Sequence, residues 1–335
     1  MNAATFNRPE GSNWGEFGPD DQIGRLNYLT PEKVMQGVAE VRAGLVFSLS
    51  LPLDLPGGSA LNPARKPPIL RPTERADGTQ VFLHPFACDH NTTDVACDDE
   101  VTLSLQYSTQ WDGLSHIGSH FDANGDGNPE IVFYNGHGTE HFHKADGTSR
   151  AARLGIEHMA RKGVQGRAVM IDLRAHLGDE RVVVGYDRLR QIMEADNVTV
   201  EKGDILVVHT GFADLILSMN GQPDAERLAK SCAVLDGFDP LLQRWIDHSG
   251  IAAIACDNYA VEHRPYDFHG DGNSPLLPLH ELCLFKLGIH LGELWHLTPL
   301  ANWLRESKRS RFLLTAPPLN LPGAVGSPLN PIATV

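Results

Sequence analysis

The chain has 335 residues, 41% of them hydrophobic, with 28 basic residues against 42 acidic ones and a formal net charge of −14. So much apolar material buries a large core, in one big α/β domain or two smaller ones, and the acidic excess opposes binding to nucleic acid or an anionic membrane surface. Five scattered cysteines (Cys88, Cys97, Cys232, Cys256 and Cys283) show no CxxC spacing, which argues against a disulfide framework or a thiolate zinc site and fits a reduced cytoplasm. The N-terminal segment lacks a basic stretch leading into an apolar core, and no later run reaches bilayer-spanning length, so a cytoplasmic location is expected.

In chain order, Thr30-Pro31-Glu32 reads as an N-cap, a proline at the first helical position and an acid in the first turn, opening a helix through Val34, Val38 and Val41. Residues 44–53 read as a strand, and residues 54–80 as a proline- and glycine-rich loop suited to a lid or a subunit contact. Val101, Leu103 and Leu105 alternate with Thr102, Ser104 and Gln106, the period of a strand with one buried face. Residues 167–173, 204–209 and 251–256 are short, apolar, largely β-branched runs of the kind buried in central sheets. Between them lie a helix over residues 186–195 and another opened by Asp239-Pro240 and stopped by Gly250. No internal repeat or charge block interrupts the alternation, and one mixed α/β domain with a large sheet is the simplest account.

Four groups of residues carry potential chemistry. If the strand through Gln106 continues, Gln106, Ser108, Gln110 and Asp112 project to one side, where a carboxylate and two amide carbonyls can cradle a divalent cation. His116, His120 and Asp122 form an H-x-G-[ST]-H-x-D pattern whose imidazoles and carboxylate suit Zn²⁺ or Mn²⁺. Asp122-Ala123-Asn124-Gly125-Asp126-Gly127 opens like a calcium loop, but Phe133 stands where the bidentate Glu belongs, so it reads as a glycine-rich turn. Finally, Asp257 to Glu262 follow a buried strand at its C-terminal end, where open α/β sheets gather ligands. Further on, His280 and Glu293 add an imidazole and a carboxylate.

Residues 12–24, Leu29-Thr30-Pro31, residues 109–116, Tyr134-Asn135-Gly136, Ser149, Gly155-Ile156-Glu157, His209-Thr210-Gly211, residues 257–262 and 280–293 resemble, in order and over nearly the whole length, the long-chain branch of the cyclase family of metal-dependent hydrolases. Bacterial kynurenine formamidases and isatin hydrolases are its shorter relatives. Their signature H-x-G-T-H-x-D-A-P-x-H can be laid on this chain in two registers. One puts the metal ligands on His116, His120 and Asp122. The other, which we prefer because Gln-Trp-Asp-Gly-x-x-His followed by Tyr-Asn-Gly is how the long-chain branch reads, puts Asp112 on the signature aspartate and His116 on its last histidine. Gln106 and Gln110 then replace two ligand histidines, although neutral amides bind metal more weakly than imidazoles, and residues 119–130 become an inserted loop.

The resemblance implies a single α/β domain with a central mixed, barrel-like β-sheet flanked by helices (swivelling β/β/α type), an N-terminal arm over about residues 1–30, and the loop at 54–80. It implies one divalent ion, Zn or Mn, on Gln106, Gln110, Asp112, His280 and Glu293. His116 and Glu262 are the expected catalytic residues, with His116 as proton carrier. Trp111, Tyr134, Asn135 and Asp257 are expected to contact a small-molecule substrate. The expected reaction is hydrolysis of an acyl C–N or C–O bond in a cyclic amide, formamide or lactone from aromatic catabolism, by a homodimer or homotetramer. A metal-dependent lyase or cyclase on a polyketide-like substrate, and a non-enzymatic small-molecule binder, are the alternatives.

Overall fold

The apolar runs become the parallel centre of a nine-stranded sheet in the computed structural model, which describes residues 7–145, 147–264, 270, 272 and 274–335. In chain order the strands are β1 (Val46–Ser48), β2 (Gln110–Asp112), β3 (Gln165–Asp172), β4 (Ile205–His209), β5 (Ala253–Cys256), β6 (His290–Glu293), β7 (Arg311–Thr315), β8 (Gly326–Pro328) and β9 (Ile332–Thr334). Their spatial order is β1-β9-β7-β3-β4-β5-β6-β2-β8, a mixed, curled half-barrel. Neighbours from β3 to β6 run parallel, and every outer pairing is antiparallel.

Because side chains alternate across a strand, each central strand feeds two cores. Val169, Ile171, Leu206, Val208, Ile254, Cys256 and Leu291 pack on one face. Ala168, Met170, Ile205, Val207, Ala253, Ala255 and Trp111 pack on the other. Helices α3 (Tyr186–Ala195), α4 (Pro240–Ser249) and α5, a turn at Pro278–His280 that widens into a π-helix over Glu281–Leu287, cover the first face through Leu189, Ile192, Leu242, Ile246, Leu284 and Phe285. Helices α2 (Ile156–Lys162) and α6 (Thr298–Glu306) cover the second through Met159, Leu300 and Leu304.

The helix caps act as written, although the first helix stops at Val38, short of the expected Val41. The Thr30 side chain accepts from Lys33 N and opens α1 (Pro31–Val38), while Asp239 accepts from Leu241 N at 2.8 Å and Gly250, at φ +66°, ends α4.

Two expectations need correction. The alternation at Val101 does not mark a half-buried strand leading into the site. Asp99–Thr102 is exposed along its length and pairs with Ile69–Pro72 in a ribbon that leaves the sheet; the chain then turns at Leu105-Gln106, and the sheet strand begins only at Gln110. The segment 54–80 is correspondingly not all loop, because Ile69–Pro72 is the other strand of that ribbon. Period-2 alternation is equally compatible with a solvent-exposed two-stranded ribbon, where the apolar side chains find no core.

Candidate metal centre

Strands β2 and β6 bring the site together. Gln110 and Asp112 share a face of β2, and the antiparallel register sets Glu293 opposite Gln110 and Leu291 opposite Asp112. His280 enters from the start of α5. Ligand atoms of Asp112, His280 and Glu293 lie within 4.8 Å of one another, and all three residues are buried. His280 Nε2 is 3.3 Å from Glu293 Oε1, and the Gln110 amide donates to Asp112 Oδ1 at 3.1 Å and to Glu293 Oε2 at 3.2 Å.

Glu262 fixes His280 from behind. Its carboxylate accepts from Leu279 N at 2.8 Å, from His280 N at 2.9 Å and from His280 Nδ1 at 2.8 Å, which leaves Nε2 facing the cluster. This is the outer carboxylate that orients a metal-ligating imidazole. The backbone is strained on both sides of the arrangement: Ala260 and Val261, just before Glu262, have φ of +76° and +57°, and Leu294, just after Glu293, has φ of +58°. A β-branched residue in the left-handed region is held there only by its surroundings. Asn258 supplies them, through its side chain to Ala233 O at 3.1 Å and its carbonyl to Leu294 N at 3.1 Å.

Electrostatics follow from burial and crowding. Burial raises the Asp112 carboxyl above its ordinary range, against the pull of His116. Burial also pushes Glu293 up, but the hydrogen bond and charge of His280 more than reverse it, so Glu293 is held low. His280 is penalised by burial, yet its bonds to Glu262 and Glu293 raise it to about 10. Asp112 Oδ2 and Gln110 Oε1 are buried without a hydrogen-bond partner. Two carboxylates, one of them with an unsatisfied oxygen, an imidazole nitrogen and an unsatisfied amide oxygen form a donor set that fits a divalent metal ion.

His116 stands at the edge of the centre, with Nε2 3.7 Å from Asp112 Oδ1 and its side chain 19% exposed. Gln106 is a near neighbour: its amide nitrogen, buried and unpartnered, sits where a Cβ on Gly326 would come within 2.5 Å, and Gly326 is the register partner of Asp112. The other two members of the rival histidine pattern are elsewhere. His120 is exposed on the ribbon formed by Ser119–Phe121 and Glu130–Val132. Asp122 spends both oxygens on backbone N–H groups of Gly125, Asp126 and Gly127 at 2.8 to 3.0 Å, closing the turn.

Four residues expected at the substrate are placed otherwise. Trp111 points away from Asp112 because adjacent strand residues face opposite sides; it is fully buried, donates to Ala316 O at 2.8 Å and packs edge-on against Trp295. Tyr134 is fully buried in the opposite core, beside Gly288. Asn135, at φ +58°, pins the N-terminal arm: it accepts from Gly15 N at 2.8 Å and donates to the carbonyls of Gly18 and Pro19 at 3.0 and 3.2 Å. Asp257 is buried, with its oxygens taken by Thr210 N, Thr210 Oγ1 and Gly211 N at 2.7 to 2.8 Å. Glu262 likewise positions His280 rather than facing open space.

Arg65 was not expected. It lies in the proline-rich segment, and its charge acts on both Asp112 and Glu293. An arginine between Asn62-Pro63-Ala64 and Lys66-Pro67-Pro68 was the only available signal, and nothing local distinguishes it from a solvated loop cation.

Residues 47–263 match the family described as "Putative cyclase". The span includes Asp112, His116 and Glu262. A solved structure described as a novel cyclase is 30% identical, with a TM-score of 0.76, and the likeness covers 97% of each chain. Isatin hydrolase A from Labrenzia aggregata, solved with benzyl benzoate, is 13% identical with a TM-score of 0.57 over 91% of this chain and 98% of its own. The enzyme from Ralstonia solanacearum is 15% identical with a TM-score of 0.57, over 91% and 97%. Both share the fold. A search of curated protein sequences returns no match. The breadth of the family match and the end-to-end likeness to the solved cyclase establish that this chain belongs to the cyclase family.

Proposed function

We propose that the chain is a metal-dependent hydrolase that opens an acyl C–N or C–O bond in a small molecule, such as a cyclic amide, a formamide or a lactone. The observation that carries this reading is the buried Asp112–His280–Glu293 cluster with a more exposed imidazole, His116, beside Asp112. Asp112, Glu293 and His280 Nε2 would hold Zn or Mn, with the amides of Gln110 and Gln106 alongside. Such an ion supplies Lewis acidity toward water and an acyl carbonyl.

The chain's own residues supply the rest. Glu262 holds the Nδ1 proton of His280, so that Nε2, on giving up its own proton, is the nitrogen that would bind the ion. His116 Nε2, within reach of the cluster and of solvent, takes a proton from the attacking water and returns it to the leaving nitrogen or oxygen.

The test joins metal quantification to product analysis in ¹⁸O-labelled water, with a panel of aryl formamides, cyclic imides and lactones. Stoichiometric metal and one solvent oxygen in the product support the reading. Turnover without solvent oxygen means a lyase or cyclase, and metal-free protein with no turnover means a binding protein.

A further inference from the structure

The proline-rich segment contributes a cation to the candidate site. Arg65 donates through Nη1 to the Gln106 carbonyl at 2.7 Å, and its guanidinium lies over the Tyr259 ring, 5.7 Å from the centroid. Tyr259 is held in turn by Asn62, whose Nδ2 reaches its hydroxyl at 3.4 Å. The segment is tied down on the other side by Tyr107, which donates to Gly58 O at 2.9 Å. Arg65, Gln106, Tyr107, Tyr259 and Asn62 thus line one narrow cavity.

Three facts give this cavity a chemistry. Among the described residues Arg65 donates one hydrogen bond, through Nη1, and its other two nitrogens meet no acceptor there. The cation is half-buried, so part of it stays open to an acceptor arriving from solution. Beside it the Gln106 amide nitrogen is buried with no partner, a further donor that lacks an acceptor. The planar fork of a guanidinium pairs with a carboxylate by two parallel N–H···O bonds, and the Tyr259 face fixes the plane of that fork.

We propose that Arg65 is a specificity-determining residue that receives a carboxylate of the substrate, so that the compound opened at the Asp112–His280–Glu293 centre is an acyl compound already bearing an anionic group. This rests on the reading of that centre as a hydrolytic site.

The test is calorimetric titration of the full-length, Zn- or Mn-loaded protein with benzoate and with benzamide, which share a ring and differ in charge. The unsubstituted protein is expected to bind benzoate at least tenfold more tightly. Arg65→Met should bring the two within about twofold, and Arg65→Lys should keep part of the preference, while unchanged circular dichroism shows that both fold. Hydrogen exchange over residues 56–66 should slow with benzoate and not with benzamide.

Equal binding of the two ligands by the unsubstituted protein, or a preference that survives Arg65→Met, overturns the proposal. In the second case, loss of the preference on metal removal places the carboxylate on the ion instead. An Arg65-dependent preference that persists in metal-stripped protein, together with no hydrolysis of any acyl compound, upholds the role of Arg65 and sinks the hydrolase reading alone.

Discussion

The Gln110 amide stands opposite Glu293 across one antiparallel step of β2 and β6, donating to it at 3.2 Å, and also reaches Asp112 at 3.1 Å. A neutral donor therefore separates two buried carboxylates where a cation also fits. Gln110→Ala removes both bonds and leaves buried acceptors facing each other, so the metal-free protein should lose about 1–3 kcal/mol. Urea denaturation of the two metal-free proteins measures this; equal midpoints would mean that the amide contributes nothing.

Asp112 contributes an oxygen to the cluster and has a second one unpaired. Asp112→Asn should abolish stoichiometric metal by plasma mass spectrometry and the rise in melting temperature that Zn or Mn produces, because binding to the native state alone stabilises it. An unchanged metal content would place the ion elsewhere.

His116 is near the cluster without belonging to it. His116→Ala should lower turnover by about 10²–10⁴-fold while bound metal stays at the level of the unsubstituted protein. Full activity in this variant would remove His116 from the mechanism.

Glu262 acts through His280. Glu262→Gln keeps the shape but offers a weaker acceptor to Nδ1–H, and metal affinity should fall about 10–100-fold by competition with a chromogenic chelator. If turnover fell at saturating metal with the affinity unchanged, Glu262 would instead touch the substrate.

Acid should weaken the fold through two histidines outside the ligand cluster. Burial lowers His290 to about 3, and burial with smaller charge effects lowers His137 to about 4. Both folded values lie below the ordinary 6.5, so the unfolded chain binds these protons first. Their contribution is complete above pH 6.5 and is lost as pH falls toward 4 and then 3. By pH 4.5 His290 alone should cost about 3 kcal/mol, and His290→Leu should flatten the acid limb of a stability profile from denaturant midpoints by that amount. A parallel profile would show that His290 does not titrate with unfolding.

Much of the fold was legible because the relevant signals are local. Asp239-Pro240 and Gly250 bracket a helix through bonds and dihedrals confined to one turn at each end. The runs around Val169, Val207 and Ile254 are apolar on both faces, as strands sandwiched between helices must be. Gln110 and Asp112 were legible from the same two-residue period, which needs no partner, whereas His280 and Glu293 came from the family resemblance.

What misled was context at longer range. Val101 and Leu105 alternate as a buried strand would, but the segment bearing Val101 pairs with Ile69–Pro72 outside the sheet. Trp111 lies between two site residues and was expected to face a substrate, yet the period that gathers its neighbours turns it toward Trp295. Asn135 and Asp257 carry the polar groups a substrate contact needs, and both are occupied by backbone groups distant in sequence.

By itself, then, the sequence determined the parallel core, the helix ends and the shared face of Gln110 and Asp112, because propensity, capping and strand period act within a few residues. Only the tertiary structure decided how Glu293, expected from the family resemblance alone, meets Gln110 across 183 positions, that Glu262 serves His280 rather than a ligand, and that the charge of Arg65 acts on Glu293. Those outcomes depend on which strands pair and which loops cross, and burial then sets the charge state of each group the pairing has brought together.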